Sequence, residues 1–193
     1  MAFHFFAMVS RMKYIDRWAL MRNTRQENLT EHSCEVAVIA HALAVLRNRR
    51  FGGQVDAARA ALLALYHDLP ETLTGDLPTP VKYHSPALRA AYRAVEDSAC
   101  GRLMEMLPAD LRPDYEALFF PDEKDEQLWR LVKAADKISA LVKCMEEEKA
   151  GNREFARAKA SLFSTLHAMQ LPEVECFLEE FLPSYALTLD ELG

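Results

Sequence analysis

The fold is organised around residues 57–68, which carry the sequence AARAALLALYHD. The part from Ala57 to Tyr66 is an almost unbroken apolar run, and such a run predicts a helix that is buried on nearly all sides. His67 and Asp68 follow at its end, and Pro70 opposes continuation of the helix. A histidine next to a carboxylate in this position is either a structural hydrogen-bonded pair or part of a metal site. Which alternative holds decides whether the protein is an enzyme.

The composition indicates one globular domain spanning residues 1–193. Half of the 193 residues are hydrophobic, which is enough for a sizeable core without disulfides or a partner. Apolar residues recur with helical spacing and alternating strand patterns are missing, so the predicted fold class is all-α. The first predicted helix begins at about Phe3, the second has Thr30 as its N-cap, and the third extends from its N-cap Asp56 to Tyr66. Further helices are predicted from Ser85-Pro86 to about Met106, from about Glu123 to Lys149, from Phe155 to Met169 and from Pro172 to Leu182.

The charge balance argues against a polyanionic partner. A net charge of −6 gives no long-range attraction to nucleic acid or to an anionic membrane surface. The basic cluster of Arg47, Arg49 and Arg50 lies at the end of a predicted helix, where cations interact favourably with the helix dipole. We expect no apolar stretch of the roughly 20 residues that span a bilayer. The scattered cysteines are typical of reduced thiols, so we expect a cytoplasmic protein.

Two further residues extend the histidine–aspartate pair into a candidate metal site. His32 lies in the first turn of a predicted helix, and Asp136 lies beside the apolar face of another. Two imidazoles and two carboxylates suit a borderline divalent ion such as Mn, Co, Zn or Fe(II). Water on such an ion becomes a nucleophile near neutral pH. The alternative is structural, with His32 as a capping residue and Lys133 or Lys137 as the partner of Asp136.

Polar residues beside these elements suggest a phosphate site. Arg17-Trp18 follows the first helix, and an arginine next to a tryptophan can hold a phosphate with its guanidinium while the indole shapes a pocket. A surface salt bridge with an anchored aromatic residue is the alternative. The stretch from Leu73 to Pro80 has too many glycines, prolines and hydroxyls for regular structure, so it predicts a loop in which Asp76 and Thr79 either reach a ligand or form turns.

The ordered set of His32, His67-Asp68 and Asp136 resembles the HD-domain phosphohydrolase superfamily. Further stretches make the sequence similar to the bacterial 5′-deoxynucleotidase family of the YfbR type over nearly its whole length. These stretches are Ser10–Lys13, Arg17-Trp18, Met21–Asn23, Glu31–Ser33, Tyr66–Asp68, Leu73–Tyr83, Val132–Asp136 and Pro183-Ser184.

The resemblance implies a single HD-domain helical bundle that hydrolyses deoxyribonucleoside 5′-monophosphates to deoxynucleoside and phosphate. It implies one divalent metal ion, such as Co²⁺ or Mn²⁺, and a cytoplasmic homodimer. The implied metal ligands are His32, His67, Asp68 and Asp136, of which His32 and Asp136 also border the substrate.

The resemblance also assigns roles to residues outside the metal set. Arg17 would orient the phosphate and Trp18 would shape the sugar pocket. Asp76, Leu77, Pro78 and Thr79 would contact the nucleotide and help to exclude a ribose 2′-hydroxyl. Glu71 would position or deprotonate the attacking water and Asp76 would protonate the leaving 5′-oxygen, although either carboxylate can serve as acid or base.

Three other interpretations belong beside this one. A broader nucleotide phosphohydrolase of the superfamily would share the same ligands. A non-catalytic metal- or nucleotide-binding regulator predicts loss of a ligand or of Glu71, and these residues are all present. An oxygenase with two metal ions needs further histidines between Asp68 and Asp136, where only His84 lies. Pro70 departs from the small residues of the family and is expected to change how Glu71 is presented.

Overall fold

The computed structural model describes residues 2–82, 84–120 and 122–193; Tyr83, which ends one of the stretches above, lies outside them. The all-α prediction is confirmed, since the protein is 73% helical and has no strand in the described ranges. The α-helices are α1 (Phe5–Val9), α2 (Leu29–Arg50), α3 (Ala57–Tyr66), α4 (Glu71–Thr74), α5 (Thr79–Lys82), α6 (Pro86–Glu105), α7 (Arg112–Phe119), α8 (Glu126–Lys149), α9 (Ala156–Ala168) and α10 (Pro172–Glu180). Short 3₁₀ turns cover Ser10–Tyr14, Glu123–Asp125, Arg153–Phe155, Leu182–Ala186 and Leu189–Glu191.

Side-chain caps mark the starts of α2, α3 and α6, and one predicted cap is wrong. Asp56 accepts a hydrogen bond from the Arg59 N–H at 2.9 Å, and Ser85 caps α6, as predicted. Thr30 does not cap α2. Instead, Asn28 Oδ1 accepts from the N–H groups of Thr30 at 3.0 Å and Glu31 at 3.1 Å. An asparagine is an equally good cap, so the helix begins earlier than predicted, at Leu29.

The segment after α3 is more ordered than its composition predicts. Pro70 precedes α4 rather than only ending the helix before it, and α5 begins at Thr79, so only residues 75–78 are irregular. Proline fits a helix start because its missing N–H has no helical acceptor there. At the other long helix, Glu123 starts a 3₁₀ turn and α8 begins three residues later, at Glu126.

The described chain forms two compact units. The first comprises Met1–Leu20, Gln26–Ser33 and Tyr66–Asp122, and the second comprises Met21–Arg25, Cys34–Leu65 and Glu123–Gly193. We call them the first and second units. That the whole chain acts as one domain stays a prediction.

An aromatic cluster and aliphatic side chains form the core of the first unit. Phe5 is fully buried and contacts Tyr66, Tyr115 and Phe119 at ring-centroid distances of 5.1–6.5 Å. Buried Leu69, just after the histidine–aspartate pair, belongs to the same core. The turn that carries the pair is thereby anchored on its apolar side.

In the second unit α8 packs against α9 and against the 3₁₀ turns that flank α9 and α10. Two arginines of the basic cluster at the end of α2 form ion pairs in this unit, since Arg47 pairs with Glu173 at 3.0 Å and Arg50 with Glu180 at 2.6 Å. This agrees with the structural interpretation of the cluster.

Two apolar helices differ from expectation. α2 is, among the described helices, long and apolar enough by length and composition to cross a membrane, although more than half of its most apolar stretch is buried in the protein. Core helices of soluble proteins share this property. α3 was predicted to be buried on nearly all sides, but Leu62 and Leu65 are exposed while Ala60, Leu63 and Ala64 are buried.

Candidate active site

The histidine–aspartate pair meets His32 in the first unit. His67 and Asp68 lie in the turn after α3, and His32 lies in the first turn of α2. His67 Nε2 is 3.1 Å and His32 Nε2 is 3.6 Å from Asp68 Oδ2. One ligand atom from each of the three side chains lies within 4.8 Å of the others.

These three side chains fit a divalent metal ion. Bonds of about 2.0–2.2 Å to one first-row ion place neighbouring ligand atoms roughly 3–4 Å apart, which matches the two distances to Asp68. His32 is fully buried, and its neighbours are largely shielded from solvent. Two imidazole nitrogens and a carboxylate oxygen are donors that Zn, Mn, Co and Fe(II) accept.

The charge state of Asp68 suits a ligand. Burial raises the pKa of Asp68, but favourable interactions with His67, His32 and Arg17 outweigh burial and lower the pKa to about 2. Asp68 is therefore ionised throughout the physiological range, and no proton has to leave before a cation binds.

Asp136 belongs to the second unit. Its side chain is 34% exposed, and Lys137 Nζ lies 4.0 Å from its Oδ2. This is the lysine partner that the structural alternative predicted. The role of Asp136 as a fourth ligand and substrate contact stays a prediction.

Arg17 contacts the same carboxylate as the histidines. Its Nη1 donates to Asp68 Oδ2 at 3.3 Å and its Nε donates to Glu27 Oε2 at 3.2 Å. Two carboxylates thus hold the guanidinium plane beside the candidate ligands. A guanidinium so placed suits a phosphate, because its rigid fork matches phosphate oxygens in geometry and charge.

Trp18 has an unusual backbone at this point. Its φ is 59°, in the left-handed region that bulky residues rarely adopt, and such strain concentrates at functional sites. The indole Nε1 donates to Glu27 Oε2 at 3.0 Å, and the backbone N–H of Trp18 hydrogen-bonds Asp76. Trp18, the predicted sugar-pocket residue, is therefore hydrogen-bonded to both Glu27 and Asp76.

Glu71 is a buried acid with an altered charge state. Burial first, and then repulsion from Asp68 and Asp76, raise the pKa of Glu71 to about 9. Its Oε2 is buried and has no hydrogen-bond partner among the residues that the structure describes. Burial also raises the pKa of Asp76, against the opposing charge of Arg17. Paired acids with raised pKa values are typical of proton-transfer sites.

The rest of the predicted nucleotide loop follows Asp76. Leu77 and Pro78 are half-buried and Thr79, at the start of α5, is exposed. The loop directly follows α4, the helix that begins at Glu71, and both belong to the first unit. Contacts of these three residues with a nucleotide stay predictions.

Sequence reasoning missed Glu27 and Lys82. Glu27 lies in an irregular segment whose polarity gave no sign of burial, yet the residue is only 8% exposed. Lys82 belongs to a quoted family stretch but received no role. It donates to Glu96 Oε1 at 2.6 Å, lies 4.7 Å from the Tyr92 ring centroid, and its charge opposes the rise in the pKa of Glu71.

Comparison with known proteins identifies relatives over nearly the full chain. The family described as 5′-deoxynucleotidase YfbR-like matches residues 4–185. A 5′-deoxynucleotidase of Yersinia pseudotuberculosis is 51% identical over 190 residues, covering 98% of this chain and 96% of the relative.

Solved structures share the fold. An HD-domain phosphohydrolase from Listeria innocua superposes with a TM-score of 0.81 at 26% identity, covering 94% of this chain and 88% of the other. The HD phosphohydrolase of cyanophage S-2L, bound to dA and one catalytic Zn²⁺, has a TM-score of 0.68 at 21% identity, covering 92% and 96% of the two chains. At that identity the second likeness bears on the fold alone. The predicted HD-domain fold is confirmed.

Proposed function

The chain belongs to the YfbR-like 5′-deoxynucleotidase family, and from this premise we propose how its residues hydrolyse deoxyribonucleoside 5′-monophosphates to deoxynucleoside and phosphate. The observation that carries the proposal is the cluster of His32, His67 and Asp68 with Arg17 bonded to its carboxylate. Side chains that can bind a cation therefore lie next to a guanidinium that can bind a phosphate.

One divalent ion would be held by His32, His67, Asp68 and, as the proposed fourth ligand, Asp136. When bound, such an ion lowers the pKa of water on it toward neutrality and offsets negative charge on the phosphoryl oxygens. The donor atoms do not distinguish Co²⁺ from Mn²⁺ or Zn²⁺, because all three accept nitrogen and oxygen ligands.

Arg17 orients the phosphate in this proposal. Its contacts with Glu27 and Asp68 hold the guanidinium in place before the substrate arrives. A pre-positioned donor loses little entropy when it binds a phosphate oxygen, and this favours an in-line approach of water to phosphorus.

Glu71 and Asp76 are the proposed proton-transfer groups. With a pKa of about 9, Glu71 holds a proton at neutral pH. Because repulsion from carboxylates contributes to that pKa, Glu71 can accept a proton from water once bound positive charge offsets the repulsion. Asp76, held by the Trp18 N–H, would then protonate the leaving 5′-oxygen, and Trp18 with residues Asp76 to Thr79 would border the sugar.

The function is tested by comparing phosphate release from dAMP and AMP with Co²⁺ or Mn²⁺. The two substrates differ by one hydroxyl, so the comparison is its own matched control. We expect dAMP to be favoured about 10²-fold in kcat/KM, the usual discrimination of a pocket against an added hydroxyl. Equal rates of phosphate release from dAMP and AMP would indicate a broader nucleotide phosphohydrolase. Absence of phosphate release from any nucleotide would favour a non-catalytic regulator.

We also propose a homodimer in the cytoplasm. Exposed apolar side chains on the second unit, Val38 and Val45 of α2 and Leu62 and Leu65 of α3, support an interface because burial of exposed apolar side chains favours association. Light scattering should give twice the 21.9 kDa of one chain, whereas the monomer mass would contradict the dimer.

A further inference from the structure

We infer that Glu27 is a positioning residue, which holds the phosphate-orienting arginine and the sugar-pocket tryptophan and faces the distal nitrogen of a metal-ligating histidine. This inference deepens the proposed function and rests on it, because the roles of Arg17, Trp18 and His32 are those proposed above.

Arg17 and Trp18 share one carboxylate oxygen of Glu27. Glu27 Oε2 accepts from Arg17 Nε at 3.2 Å and from Trp18 Nε1 at 3.0 Å. The Glu27 side chain is only 11% exposed, so its negative charge needs compensation, and Arg17 supplies it. Because these two residues are adjacent in sequence, one acid fixes the relative orientation of the guanidinium and the indole.

The backbone before Trp18 is also held by the segment that contains Glu27. The Arg17 N–H donates to the Glu27 carbonyl at 2.9 Å, and Asp16 pairs with Asn28 in an antiparallel bridge. Glu27 therefore holds Arg17 through both its main chain and its side chain, and it holds Trp18 through its side chain. Trp18 has a left-handed φ, a conformation that persists where surrounding contacts over-determine it, and its N–H hydrogen-bonds Asp76.

The ring of His32 lies between Asp68 and Glu27. Its Nε2 faces Asp68 Oδ2 at 3.6 Å, and its Nδ1 on the other side of the ring lies 3.8 Å from Glu27 Oε1. A carboxylate that hydrogen-bonds the second ring nitrogen of a ligating histidine fixes the ring tautomer and raises its basicity as a ligand. The 3.8 Å contact is longer than a hydrogen bond, so we expect loss of Glu27 to affect metal affinity less than it affects the positions of Arg17 and Trp18.

The test is Glu27→Gln, which keeps the side-chain volume and removes the charge. We expect kcat/KM for dAMP to fall about 10- to 100-fold, the range typical of lost outer-shell partners, mainly through KM. We also expect altered Trp18 fluorescence in metal-free protein, with greater quenching by acrylamide. This readout uses a Trp129→Phe background, because Trp18 and Trp129 are the only tryptophans.

The matched control is Glu105→Gln, which makes the same change at an exposed position of the first unit and should leave both readouts unchanged. Wild-type KM and Trp18 emission in Glu27→Gln would overturn the inference. Should that variant fail to fold, Glu27→Asp keeps the charge but withdraws the carboxylate by one methylene. It should show the same two changes more weakly, and wild-type values would again overturn the inference.

The fluorescence readout separates this inference from the proposed function. If wild-type protein released no phosphate from dAMP, the proposed function would fail, yet unchanged Trp18 emission in Glu27→Gln would still contradict the positioning of Trp18. If wild-type protein is active and Glu27→Gln is equally active with the same KM, the inference on Glu27 fails alone.

Discussion

Asp68→Asn should bind no divalent ion at concentrations that saturate the wild type, and it should lose phosphate release. Asparagine keeps the shape of the side chain but removes the charge that His67, His32 and Arg17 stabilise. A metal ion contributes several kcal/mol to phosphoryl transfer, and at 1.36 kcal/mol per tenfold change this corresponds to a loss of about a thousandfold in kcat. Mn²⁺ binding by calorimetry and phosphate release from dAMP check the two effects.

A matched change separates the ligand role from loss of charge. Asp97→Asn alters an exposed carboxylate of the first unit and should leave metal binding and turnover unchanged. The folded Asp68→Asn protein is verified by circular dichroism. Undiminished turnover in that variant would remove Asp68 from the metal site.

Glu71→Gln should lower kcat about 10²- to 10⁴-fold, the range associated with a positioned proton-transfer group. Metal affinity and KM should stay near the wild-type values, because Glu71 is not among the proposed ligands. Glu116→Gln, exposed on α7, is the control with the same chemical change. An unchanged kcat would exclude Glu71 from proton transfer.

The same variant should change the pH dependence of stability in metal-free protein. The pKa of Glu71 rises from 4.5 to about 9 on folding, so between these values the folded state binds more protons than the unfolded state. Stability then falls as pH rises through this window. Glutamine mimics the protonated acid, so thermal unfolding of Glu71→Gln should show a weaker decline from pH 5 to pH 9. Identical declines would contradict the raised pKa.

The sequence predicted those parts of the site that follow from local pattern. The apolar run before His67 predicts a helix that ends at the histidine–aspartate pair. A cap residue near His32 predicts a second helix that begins there. Since both ends are anchored by core residues such as Leu29 and Leu69, the two histidines approach the same carboxylate. Local pattern thus marked these three residues as candidates, and the family resemblance then implied that they are metal ligands.

Other features depend on contacts between distant segments. Glu27 is buried because Asp16 pairs with Asn28 and brings it beside Arg17, and no periodicity in a polar segment signals this. The pKa of Glu71 arises from its spatial neighbours, which spacing cannot supply. The short helices α4 and α5 were missed because glycine, proline and hydroxyl residues favour turns on average, while proline at a helix start stabilises a single turn.

The central claim is that one divalent ion, held by the histidine–aspartate cluster, activates this protein. The most direct measurement titrates metal-free wild-type protein with Mn²⁺ or Co²⁺ while following phosphate release from dAMP. We expect no release without metal and a rise that saturates at one bound ion per chain. Full turnover without metal in the presence of a chelator, or saturation only at two ions per chain, would contradict the claim.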